Sequence, residues 1–122
     1  MISKVENTPA GVTVAWIEGR LNVGSNLVFL EGDLKKIVES GAKRVVLTLA
    51  GVNYVDSGGL GVLIGIAGML RQSGGEAKIA ALQPRVAEIF NIARLPKVVA
   101  VYDDNDAALA AFAAPASSAE QQ

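Results

Sequence analysis

The chain contains neither cysteine nor histidine. The first absence excludes disulfides, thiolate metal sites and a cysteine nucleophile. The second removes the commonest general base and metal ligand. Any enzyme built here would have to work with carboxylates, Lys, Arg, Ser or Tyr. Aromatic residues make up only 5%, so the core must be aliphatic. Neither sign of charge dominates: 11 basic against 12 acidic residues leave a formal net charge of −1. Nucleic acid usually demands a basic face, so no nucleic-acid partner is expected. No uninterrupted apolar run reaches the roughly 18 residues of a membrane span. The start, Met1 to Glu6, is charged and alternating and lacks the apolar block of a signal peptide. No membrane insertion and a cytoplasmic setting are therefore expected.

What is present suits one compact body. Apolar residues are 51% and charged residues 19% of 122, enough for a single core and too few residues for two ordinary domains. Ile2 to Glu6 reads as a short edge strand, and Asn7-Thr8-Pro9-Ala10-Gly11 as a turn. Val12, Val14 and Trp16 alternate with Thr13, Ala15 and Ile17, which predicts a second strand and a hairpin. Gly19-Arg20-Leu21-Asn22 reads as a loop, with Ser25 or Asn26 as a helix cap. Leu27, Leu30, Leu34, Ile37 and Val38 then recur at helical spacing, and Ser40-Gly41 ends that helix.

Val45 to Ala50 is short, β-branched and continuous, as in a strand covered on both faces. Leu60, Leu63, Ile64, Ala67, Met69 and Leu70 predict a second helix. Gly61, Gly65 and Gly68 lie inside it, each costing roughly 1 kcal/mol relative to Ala, so close packing against a neighbour is the expected compensation. Lys78 to Leu82 predicts a strand. Pro84 opens a helix with Val86, Ile89, Phe90 and Ala93 inward, ended by Leu95-Pro96. Val98 to Tyr102 predicts a last strand, and Asp103 to Asp106 the charged start of a last helix. Lys43-Arg44 reads as a solvated turn. The order β-β-α-β-α-β-α-β-α implies an α/β fold: a mixed, mostly parallel sheet of five strands, flanked by four helices.

Between the third strand and the second helix stands Asp56-Ser57-Gly58-Gly59-Leu60-Gly61. The first N–H groups of a helix are unpaired, and such a turn can hold an anion or a hydroxyl that becomes one. The residues alone leave two readings open. In one, Asp56 or Ser57 merely caps the helix. In the other, Ser57 is a modifiable hydroxyl. A phosphate there adds about −1.5 to −2 charges beside the positive helix end and spoils an acidic or apolar partner surface. The spacing fits neither a dinucleotide loop nor a Gly-Lys-Ser/Thr phosphate loop. No His is present to activate Ser57 as a hydrolase nucleophile, although the sequence leaves a Ser–Lys pair open.

Asp56-Ser57-Gly58-Gly59-Leu60-Gly61, following Gly51-Val52-Asn53-Tyr54-Val55, resembles the signature of the STAS family, and specifically of its bacterial anti-sigma factor antagonists. Gly19-Arg20-Leu21-Asn22 is similar to that family's early Gly-x-Leu-Asp loop. Gly74-Gly75-Glu76 and the helix from Pro84 to Ala93 also fit. The resemblance implies a STAS-like domain over residues 1–114, and the small, polar run over 115–122 reads as a disordered tail. It implies a binding protein rather than an enzyme, with no cofactor. The partner would be an anti-sigma factor that is also a serine kinase; binding it releases a sigma factor. Ser57 would be the phosphoacceptor, a serine phosphatase would reset it, and Asp56 would orient or recognise the site. Gly19, Leu21, Asn22, Ser25, Asp56, Ser57, Gly58, Gly59 and Leu60 would form the docking face. Asn22 stands where the family has Asp, removing a negative charge. Gly58 stands where a second Ser or Thr is common, which removes a neighbouring phosphoacceptor and would loosen the turn. Two other roles remain at this stage: a stand-alone adaptor subunit of a transport or signalling assembly, with Ser57 only a cap, and a nucleotide sensor using the helix start at Ser57.

Overall fold

The computed structural model describes residues 1–113; the tail expected over 115–122 lies outside the described residues. Strands β1 (Ile2–Asn7), β2 (Thr13–Leu21), β3 (Arg44–Val55), β4 (Glu76–Ala80) and β5 (Ala100–Tyr102) form one sheet in sequence order. β1 and β2 are antiparallel, and every later pair is parallel. Helices α1 (Ser25–Glu39), α2 (Ser57–Gln72) and α3 (Pro84–Ile92) connect the parallel strands, and α4 (Asn105–Ala113) follows β5. The expected order and sheet type are those found.

Right-handed crossovers between strands laid down in sequence order put their helices on one face of the sheet. The large core cluster accordingly joins Leu27, Leu30 and Leu34 of α1, Leu63, Ile66 and Leu70 of α2, and Val86 and Phe90 of α3 to Ala15, Ile17, Leu47, Leu49 and Ile79 of the strands. The opposite face holds a smaller cluster of Val12, Val14, Val46, Ala80 and Ala108, closed by α4. Lys78 is buried on that side. Its ammonium meets Glu76 Oε2 at 2.9 Å and lies 4.7 Å from the Phe112 ring centroid, so the charge is paired and its surroundings are aromatic.

Several boundaries moved for tertiary reasons. β2 continues through Gly19-Arg20-Leu21, read from sequence as a loop, and β3 continues through Gly51 to Val55. The two extensions pair with each other, Gly19 with Val52 and Leu21 with Val55, across register irregularities. Gly19 takes φ +96 at one irregularity, a conformation that favours glycine. Gly24, not Ser25 or Asn26, occupies the N-cap of α1. β4 begins and ends two residues earlier than expected, β5 starts two residues later, and Ala93 is an exposed C-cap rather than part of the buried stripe. Lys43-Arg44 is more than a solvated turn: Arg44 opens β3 and its Nη2 donates to the Ala10 carbonyl at 2.6 Å.

The glycines of α2 overturn an expectation. A Cβ at Gly61, Gly65 or Gly68 would have no neighbour within 4 Å. Spacings of four and three put all three on the side opposite Leu60, Leu63, Ala67 and Leu70. They face open space, and Ile64, expected inward, is exposed beside them. Among the described residues, no close packing offsets their helical cost.

Candidate functional site

The parallel pairing of β2 with β3 decides what meets at the turn. Leu21 and Val55 are partners at the ends of their strands. The ladder runs one bond further, with the Asp56 N–H donating to the Leu21 carbonyl at 3.0 Å. Asp56 then starts α2 as its N-cap, in extended conformation. Its carbonyl accepts from Leu60 N–H and its Oδ1 accepts from Gly59 N–H at 3.0 Å. That is ordinary capping chemistry, which satisfies one orphan donor.

The other carboxylate oxygen does something the local sequence does not show. Asp56 Oδ2 accepts the N–H of Val23, 33 residues away, at 3.0 Å. The Val23 N–H first and the Gly59 N–H second hold the Asp56 carboxyl below the usual aspartate range, because both bonds favour the ionised form. A fixed anion thus sits beside Ser57 and ties the segment before α1 to the start of α2.

Ser57 is the first residue of α2 and is exposed. Asn22 is half-buried between the end of β2 and Val23; Gly19 lies within β2, on its exposed end. Leu21, Gly59 and Leu60, expected on the docking face, are buried and lie beneath the surface instead. The Ser25 side chain is outside the described residues. Gly58 does not loosen the turn: a Cβ there would fall 2.6 Å from Val23 Cγ2 and 3.2 Å from Leu27 Cδ2. The space that a second Ser or Thr would use is filled by Val23.

Val23, Val28 and Phe29 are apolar residues that no sequence motif singles out. They are 72%, 67% and 68% exposed, at the entry and first two turns of α1. A signal existed for two of them, since Val28 and Phe29 fall outside the stripe of Leu27, Leu30 and Leu34. An apolar residue on the wet side of an amphipathic helix is a candidate for contact with another molecule. Among the described residues, no group of three or more His, Cys, Asp or Glu could hold a metal ion, and no helix is long and apolar enough to cross a membrane.

The comparisons with known proteins find anti-sigma factor antagonists among the relatives, and transporter proteins share the fold as well. BtrV of Bordetella bronchiseptica, classed with the anti-sigma factor antagonists, is 37% identical over 102 residues, covering 84% of this chain and 87% of its own. The anti-sigma F factor antagonist of Paenibacillus polymyxa is 30% identical over 100 residues, 81% of this chain and 85% of its own. Among solved structures, an anti-sigma factor antagonist from Mycobacterium paratuberculosis superposes with a TM-score of 0.81 at 25% identity, over 91% of this chain and 93% of that one. The Bacillus cell fate determinant SpoIIAA, solved in phosphorylated form, shares the fold with a TM-score of 0.65 at 16% identity, over 88% and 96% of the two chains. Residues 5–108 match the STAS domain itself, and the chain belongs to the STAS domain family.

Proposed function

We propose that this chain is an anti-sigma factor antagonist acting in the cytoplasm, switched by phosphorylation of Ser57. It docks an anti-sigma factor that is also a serine kinase, and so frees a sigma factor. The kinase phosphorylates Ser57, the complex separates, and a serine phosphatase restores the free hydroxyl. One observation carries this reading: an exposed serine at the first position of α2, flanked by the fixed Asp56 carboxylate and the exposed apolar Val23. A phosphate at that position adds about two negative charges beside the Asp56 carboxylate and the apolar Val23, and a docked acidic or apolar surface is repelled and wetted. The helix end tolerates the charge, so the switch acts on binding without unfolding the domain. The names of the relatives support the antagonist role.

The test is retention of partners by the wild-type chain, Ser57→Ala and Ser57→Asp, with calorimetry on the retained kinase. Ser57→Ala is expected to bind constitutively and Ser57→Asp at least tenfold more weakly. Equal binding by both variants, with no phosphate on Ser57 in protein from its native cell, would leave the adaptor reading in its place.

A further inference from the structure

We propose that Asp56 is a positioning residue for a second docking contact, Val23, and that it passes the charge state of Ser57 on to that contact. The inference rests on the switch at Ser57 and says how its effect spreads. Val23 is an apolar side chain held in water, 72% exposed. Two features fix it there. Its N–H is bound by Asp56 Oδ2 at 3.0 Å, and its side chain lies over Gly58, where any Cβ would collide with it. The docking surface at Ser57 therefore includes an apolar knob whose backbone is tied to the residue preceding the phosphoacceptor. A kinase that fits it presents an apolar recess beside its catalytic cleft.

Phosphorylation acts on that tie directly. Asp56 is already an anion, and the phosphate on the next residue is another. The two repel, and both seek the few N–H groups at the start of α2. Oδ1 is held by Gly59 within the same helix turn, whereas Oδ2 reaches to a segment outside any helix or strand. The Val23 bond is the one to open when the carboxylate swings away from the phosphate. Adding phosphate then removes a contact as well as adding a charge.

The first test needs only the protein. Phosphoserine installed at Ser57 should speed hydrogen exchange of the Val23 amide at least tenfold by NMR. Asp56→Asn should do the same while leaving Gly59 protected, because Asn caps a helix as well as Asp but has one acceptor instead of two. Unchanged Val23 protection in the phosphorylated protein would overturn the proposal. The second test uses the kinase retained by the wild-type chain. Val23→Ala should weaken binding about tenfold, and Asp56→Asn should add little in the Val23→Ala background, since both remove one contact. Additive losses would also overturn it. A released Val23 amide with kinase binding unaffected by phosphorylation would overturn both the Ser57 switch and Val23 as a docking contact, whereas unchanged Val23 protection with weakened binding would overturn this proposal alone.

Discussion

Gly59 lies so close to the Leu21 carbonyl that no side chain fits between them. Leu21 ends β2 and Gly59 lies in the first turn of α2, so this contact sets how near the helix start approaches the sheet edge. Gly59→Ala must push backbone from backbone. A loss of about 1–3 kcal/mol is expected, seen as a lower urea midpoint, and an unchanged midpoint would refute the contact.

The glycines on the open side of α2 should behave in the opposite way. Gly61→Ala, Gly65→Ala and Gly68→Ala add a methyl group that meets nothing. Each is expected to stabilise the free protein by roughly 0.5–1 kcal/mol through helix propensity. Thermal melts of the three single variants check this.

Gly58 occupies a middle case. A Cβ there meets side-chain ends, Val23 Cγ2 and Leu27 Cδ2, which can shift. Gly58→Ser is expected to cost under about 1 kcal/mol of stability while displacing Val23. The Val23 methyl shifts by NMR report the displacement, and a fixed Val23 with a large stability loss would contradict it.

Thr48 in β3 is fully buried, and its Oγ1 has no hydrogen-bond partner among the described residues. Thr48→Val keeps the shape and removes the unpaired group. A gain of about 1 kcal/mol is expected, measured by denaturant unfolding. A loss would mean that the hydroxyl is satisfied in solution.

The Asp56 carboxyl sets a pH dependence. Its folded-state pKa is lowered by Val23 and Gly59 N–H groups, so the unfolded chain takes up the proton first as pH falls. The stability it contributes is fully present above the unfolded value of about 4 and is lost as pH falls through the folded value. The stability difference between wild type and Asp56→Asn should therefore hold from pH 7 to 5 and narrow below pH 4. Unfolding curves of both proteins across that range check it; a gap that widens in acid would reverse the assignment.

The turn itself was legible because its signals are local. A β-branched run, then Asp-Ser-Gly-Gly, then helical spacing, specify a strand, a cap and a helix within a few residues. Ser57 falls at the helix start for that reason. The extended halves of β2 and β3 were not legible. Gly19, Gly51 and Asn53 have poor strand propensity, and only the pairing of the two extensions, Glu18 with Gly51, Gly19 with Val52 and Arg20 with Tyr54, keeps these segments in the sheet. The phase of the α2 glycines was also misjudged, because a helix in sequence has a buried stripe but no statement of what lies against its other side.

By itself, then, the sequence determined the alternation of strands and helices, the aliphatic core, the loss of histidine and cysteine chemistry, and the position of one serine at a strand-to-helix turn. Each follows from composition or from spacing within a few residues. Only the tertiary structure decided that Asp56 reaches Val23, that Gly59 meets Leu21, and that Gly61, Gly65 and Gly68 face outward. The first two depend on parallel pairing of β2 with β3 through a long crossover, and local patterning carries no record of which groups such a pairing brings together; the third depends on which side of α2 the rest of the fold leaves uncovered.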